Sequence, residues 1–353
     1  MADGYVDEIA EQPGVIAALA GAFEADQAAD LARVPALLRS GKIDRIVLTG
    51  MGGSLHSLYP MLLELGRSCP LPASLWDSSE LVQQGLAVIN ERTLVVAVSQ
   101  SGESGEVVRL CEQSRRPGLA IAVTNGGGNT LAAWADIGVR TGAGPERTAS
   151  TKTYTAGLAA LNLVTEALLG RPIGPQVHAL RAAAEGMRQS LPRWTATASE
   201  VAEFLGAESP ISFVGRGANL ASAAMAALLT AEASKLSCTA LSGGQFRHGP
   251  IELVREGFRC VLFASPDAET ARLDRRIADT VIELGGRCAW VSAGGPQPPA
   301  RPGEFVIDLP PCDPSCLPIL NIVPLQLLQV PLATARGFVP AQFLNASKVT
   351  TGQ

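Results

Sequence analysis

The chain has 353 residues, 47% of them hydrophobic and 17% charged, with no long block of like charge. That is enough apolar material for two ordinary domains and excludes a chain kept disordered by lack of a core. A formal net charge of −5 leaves no basic footprint, so nucleic acid is not expected as a partner.

The first 40 residues read as a helical segment, and their acidic start, MADGYVDEIAEQPG, lacks the apolar core of a signal peptide. Short β-branched runs then alternate with helical patterns. DRIVLTG (44–50), TLVVAVSQ (93–100), LAIAVTN (119–125) and IGVRTG (137–142) read as strands. SLHSLYPMLLELG, GEVVRLCEQSRR and NTLAAWA between them carry apolar residues at helical spacing, and a long helix is expected over 151–170. A second set follows: strands at 210–217, 258–265, 287–293 and 305–310, and helices at 218–236 and 268–285. The run 317–337 reads as a closing helix whose course Pro324 and Pro331 leave open. Alternating strands and helices predict α/β architecture, each unit a central, mainly parallel sheet flanked by helices. We divide the chain into units at 41–172 and 173–337, with a tail at 338–353.

No uninterrupted apolar run reaches the roughly 18–20 residues of a membrane span, so a cytoplasmic protein without membrane contact is expected. Seven scattered cysteines (69, 111, 238, 260, 288, 312 and 316) read as reduced, mostly buried thiols. Cys312 and Cys316 lack further ligands at zinc spacing, and the three histidines form no cluster. Neither a metal nor a cofactor is expected.

The two sets are related. IVLTGMGGSLHS (46–57) aligns with ISFVGRGANLAS (211–222) at an offset of 165, placing Gly50 on Gly215 and Gly52 on Gly217. The same offset lays VVAVSQSG (95–102) on CVLFASPD (260–267). Both copies need a strand-to-helix connection, yet only the first fills it with hydroxyls.

A helix following a parallel strand presents unpaired N–H groups and a positive dipole end. Ser99, Ser101 and Ser104 add hydroxyls there, and Gly102 and Gly105 let the backbone approach an anion, for which phosphate is the best fit. Plain helix capping by Ser101 or Ser104 is the competing reading. MGGS (51–54) ends the first strand, where open α/β sheets hold ligands, although any tight turn favours glycine. Ser150, Thr151 and Lys152 stand at the mouth of a long helix, as cap or as ligand contact. Glu232 lies in an Ala-rich helix, either turned inward as a proton-transfer carboxylate or paired at the surface. His248, in the loop GGQFRHGP, has a side chain that titrates near neutrality; such a residue is also commonly structural.

These motifs resemble the SIS (sugar isomerase) domain family, whose phosphosugar turn Ser-Gln-Ser-Gly-Glu-Thr/Ser is matched by SQSGES (99–104). The resemblance runs from EIAEQPGVIAAL through ASTKTYT and FRHGP to VPLQLL and NASK. It is strongest to the tandem isomerase module of glucosamine-6-phosphate synthase, the SIS-type glucosamine-6-phosphate deaminases and the fructosamine-6-phosphate deglycases. It implies that Ser99, Gln100, Ser101 and Ser104 hold a phosphate and that Gly52, Gly53 and Ser150 line the sugar. Glu232 would move a proton between C1 and C2. His248, supplied to the neighbouring subunit of a homodimer, would open the ring, and Lys348 would form a Schiff base. Three departures count against full synthase chemistry. The chain shows no glutaminase segment or Cys at position 1 or 2; Leu229 stands where the synthase has lysine; and the stretch Glu146–Ser150 is one residue short. The expected reaction is therefore glucosamine 6-phosphate to fructose 6-phosphate and ammonia. A fructosamine-6-phosphate deglycase and a non-catalytic phosphosugar sensor are the alternatives.

Overall fold

The computed structural model describes residues 2–293, 301–345, 347 and 348. Ala346 and residues 349–353 of the expected tail lie outside the described residues. Two five-stranded, wholly parallel sheets organise the chain, each flanked by helices. The first is built from β1 (Arg45–Gly50), β2 (Ala73–Asp77), β3 (Thr93–Val98), β4 (Leu119–Thr124) and β5 (Ile137–Arg140). The second comprises β6 (Ile211–Gly215), β7 (Cys238–Ser242), β8 (Arg259–Phe263), β9 (Arg287–Ala293) and β10 (Glu304–Leu309).

The orders are the same: β2-β1-β3-β4-β5 in one sheet and β7-β6-β8-β9-β10 in the other. β2 and β7 are themselves offset by 165 residues, so the repeat extends to strands that the β-branched runs did not mark. Both are short and only half-buried edge strands, with one β-branched residue, Thr239, between them. Gly52 and Gly217, aligned by the repeat, have φ of 51° and 54°, a region costly for any side chain. The two glycine turns thus share one backbone mould.

The chain forms two compact units. One comprises Gly14–Glu146, Lys152–Arg181 and Asn345–Gln353; the other Met1–Pro13, Arg147–Thr151 and Ala182–Leu344. In the first-sheet unit, β3 and β4 are buried along their whole length, as covering helices on both faces require. Val47, Val95 and Ala122 pack with Val107 and Leu110 of the helix Gly105–Gln113. In the second-sheet unit, Val214, Leu262 and Trp290 pack with Ile277 and Val281 of the helix Ala268–Glu283. Burying each Val, Leu or Ile side chain contributes roughly 1.5–3 kcal/mol.

The closing helix, Leu317–Ala335, runs through both internal prolines. Against the sequence expectation, the stretch Pro314–Ala335 is long and apolar enough by composition to cross a membrane; 89% of that window is buried inside the protein. It is the core helix of the second-sheet unit. It also grips the helix Asn219–Ser234: Asn321 Nδ2 donates to Asn219 Oδ1 (2.9 Å), and Gln329 Nε2 to Thr230 Oγ1 (3.1 Å).

Candidate functional site

β1 and β3 are neighbours, with Gly50 beside Val98, so their carboxyl ends bring the turns MGGS and SQSGES to one sheet edge. Gly52 precedes the short helix Gly53–Ser57, and Ser99 follows β3 directly. The serine turn is braced from within and from behind. Ser99 Oγ accepts from Gly102 N and Ser101 Oγ from Glu103 N, both at 3.1 Å. Gln100 O accepts from Asn125 N, and the Glu103 carboxylate holds Thr130 N (2.6 Å) and Oγ1 (2.9 Å). Gly102 has φ of 67°, and a Cβ there would meet Asn129 Oδ1 at 2.0 Å. Only glycine fits this corner.

Ser104 occupies the cap position of the helix Gly105–Gln113 with extended backbone, yet its side chain makes no capping bond. The repeat copy differs. There Asp267 accepts from Glu269 N and Thr270 N, each at 3.1 Å, so the chain's own carboxylate sits at the helix start. Bonding by the Thr270 hydroxyl, foremost, and by these N–H groups holds the Asp267 carboxyl below the usual carboxylate range. Asp274 accepts from Arg216 Nε (3.0 Å) and Ser265 N (3.1 Å), and burial raises its pKa despite both bonds. In the first copy the buried Ser99 and half-buried Ser101 turn their Oγ atoms to the turn's own N–H groups. Ser104 leaves the helix start without a side-chain cap, whereas the second copy caps its helix with the Asp267 carboxylate.

Lys348 belongs to the first-sheet unit. Its Nζ lies 2.6 Å from Oε2 of Glu146, whose side chain is fully buried. Glu146 also takes Thr153 N (3.0 Å) and Thr153 Oγ1 (2.6 Å), so it caps the helix Lys152–Leu168. In the sequence Glu146 marks only a motif boundary; its spacing of seven residues from Thr153 is the available signal. His56, on the helix after the glycine turn, was not singled out either. Burial pushes its imidazole pKa down, favouring the neutral ring.

Ser150, Glu232 and His248 belong to the second-sheet unit. Ser150 is half-buried in a segment tied to Glu8, which accepts from Arg147 N (2.6 Å) and the Thr148 hydroxyl. Glu232 is half-buried in the last turn of Asn219–Ser234. His248 ends the short helix Gly243–Arg247 and is exposed, with its N–H donated to Gln245 O (3.0 Å). All seven thiols are free. Among the described residues no three His, Cys, Asp or Glu side chains gather as a metal set.

Residues 39–167 match the family model of the SIS domain. The isomerizing glutamine–fructose-6-phosphate aminotransferase of Pyrobaculum aerophilum is 31% identical over 351 residues, 98% of this chain and 56% of that protein. The chain thus spans little more than half the length of this curated relative. The C-terminal domain of glucosamine-fructose-6-phosphate aminotransferase from Francisella tularensis superposes with a TM-score of 0.82 at 23% identity, covering 95% of this chain and 96% of that one. Glucosamine-6-phosphate deaminase from Thermotoga maritima gives 0.74 at 19% identity, covering 99% of each chain. At such identities the structures speak for the fold: two SIS-type α/β units.

Proposed function

We propose, from the premise that residues 39–167 are an SIS domain and the whole chain folds as two SIS-type units, that it is a phosphosugar isomerase of the deaminase type. Its substrate is glucosamine 6-phosphate and its products are fructose 6-phosphate and ammonia, in the cytoplasm. The observation that carries this reading is the contrast between the repeat copies. The serine turn leaves its helix start uncapped by Ser104, whereas the second copy caps its own with Asp267. Ser99, Gln100, Ser101 and Ser104 take the 6-phosphate, and Gly52, Gly53 and Ser150 lie along the sugar.

His248, exposed on its loop, reaches the site of a second copy in a homodimer and opens the ring. Glu232 removes the C2 proton of the open-chain aldehyde, giving an enolamine, and returns a proton to C1. The C2 iminium is then attacked by the Lys348 amine; ammonia leaves, and water releases the lysine and the ketose. The Glu146 carboxylate, in contact with Nζ, is placed to take the proton that the attacking amine must lose.

The direct test is product identification over a panel of 6-phosphosugars, scoring ammonia and fructose 6-phosphate. Amino-acid release from fructosamine 6-phosphates in place of ammonia would overturn the reaction, and binding without turnover would overturn the enzyme. Two variants follow. Borohydride reduction with fructose 6-phosphate is expected to add one sugar at Lys348, found by peptide mass, and none in Lys348→Met. Glu146→Gln should lower the melting temperature by the equivalent of about 1–3 kcal/mol, because a buried acceptor with three donors is altered.

A further inference from the structure

The helix bearing Glu232 ends in an unusual way. The last carbonyls of an α-helix lack partners within it, and glycine in a left-handed C-cap is the common solution. Here the left-handed residue is Lys235, with φ of 57°. Its ammonium donates to the carbonyl of Glu232 itself and to Gln342 O (2.6 Å). Ala341 N donates to Ala233 O at 3.2 Å. Arg336 donates through Nε to Ser234 O (3.2 Å), through Nη2 to Lys235 O (3.1 Å) and through Nη1 to Ala207 O (2.8 Å). The carbonyls of residues 232 to 235 are thus satisfied by Lys235, Arg336 and the backbone of Ala341.

The strain is concentrated at the same junction. Among the described residues, only Lys235 and Ala341 are non-glycine residues with positive φ, and Ala341 also stands at 57°. Strained backbone persists where its surroundings over-determine it, and a glycine at 235 would end the helix more cheaply. Burial disfavours the charged amine of Lys235, while Glu232 favours it.

We propose that Lys235 and Arg336 are positioning residues: they clamp the segment 336–342 onto the turn that carries Glu232 and so fix where its carboxylate stands. The inference rests on Glu232 being the proton-transfer base. Its test separates that reading from the clamp. Lys235→Gly is expected to raise the melting temperature by relieving the left-handed strain, while kcat falls by on the order of 10–10²-fold and KM stays near wild type. Arg336→Met should lose kcat similarly, and Arg336→Lys should recover part of it. If Lys235 were a plain C-cap, Lys235→Gly would gain the same stability but keep wild-type kcat, which overturns the clamp. If the wild-type protein itself shows no turnover, the proposed reaction fails. The clamp is then scored by amide hydrogen exchange at residues 232–236. Faster exchange in Arg336→Met and Lys235→Gly supports it, and unchanged exchange in both overturns it.

Discussion

Glu232→Gln is expected to slow turnover by about 10²–10⁴-fold, the range that a positioned general base supplies. Glutamine keeps the shape of the side chain, so the helix Asn219–Ser234 and its bonds to Asn321 and Gln329 remain. KM for the phosphosugar should change little, because the serine turn belongs to a different unit of the chain. The sharper measurement is isotopic. In deuterated water the wild type should place deuterium at C1 of the ketose product, and the variant should not. Wild-type exchange in Glu232→Gln would transfer the base to another residue and leave the phosphate turn as the only part of the reading intact.

Gly102→Ala is expected to damage binding more than chemistry. The substitution meets two separate obstacles, φ of 67° and a Cβ placed 2.0 Å from Asn129 Oδ1. Left-handed strain in a non-glycine residue costs roughly 1–3 kcal/mol, and the collision adds to it. Asn129 cannot simply swing away, since Oδ1 accepts from Ala132 N and Nδ2 donates to Gly126 O (2.7 Å). The turn must therefore move, carrying Ser101 and Ser104 with it. Calorimetric titration with fructose 6-phosphate should show affinity down by on the order of 10²-fold, as for losing one or two charge-assisted hydrogen bonds. Undiminished affinity would mean that the phosphate sits elsewhere.

Much of the fold is legible in the sequence. The eight β-branched runs became the inner strands, apolar because they are buried between two helical layers, and the far edges β5 and β10. Those edges bury only Ile137, Val139, Ile307 and Leu309 of their apolar residues. The edge strands β2 and β7 escaped notice: ASLWD and CTALS are half-buried and carry little β-branched signal. The helix Gly174–Leu205 was likewise not read, its apolar face being diluted over 32 residues. The serine turn was legible because its serines and glycines are contiguous. Glu146 and Lys348 are 202 residues apart, and Lys235 and Gln342 are 107 apart. Such pairings are made by the fold and leave no local spacing to find.

Asp267 behaves as a captive ligand: tethered to the helix it caps, it holds that turn in the bound form at every concentration of solute. The serine turn has no tethered counterpart at Ser104, so on the proposed reading its occupied form depends on phosphosugar from solution. By mass action, a phosphosugar at 100 times its dissociation constant would stabilise the first-sheet unit by about 2.7 kcal/mol. The second-sheet turn, already saturated, has nothing further to gain there. On the proposed reading, duplication yields one half whose stability would report the phosphosugar and one whose corresponding turn would not.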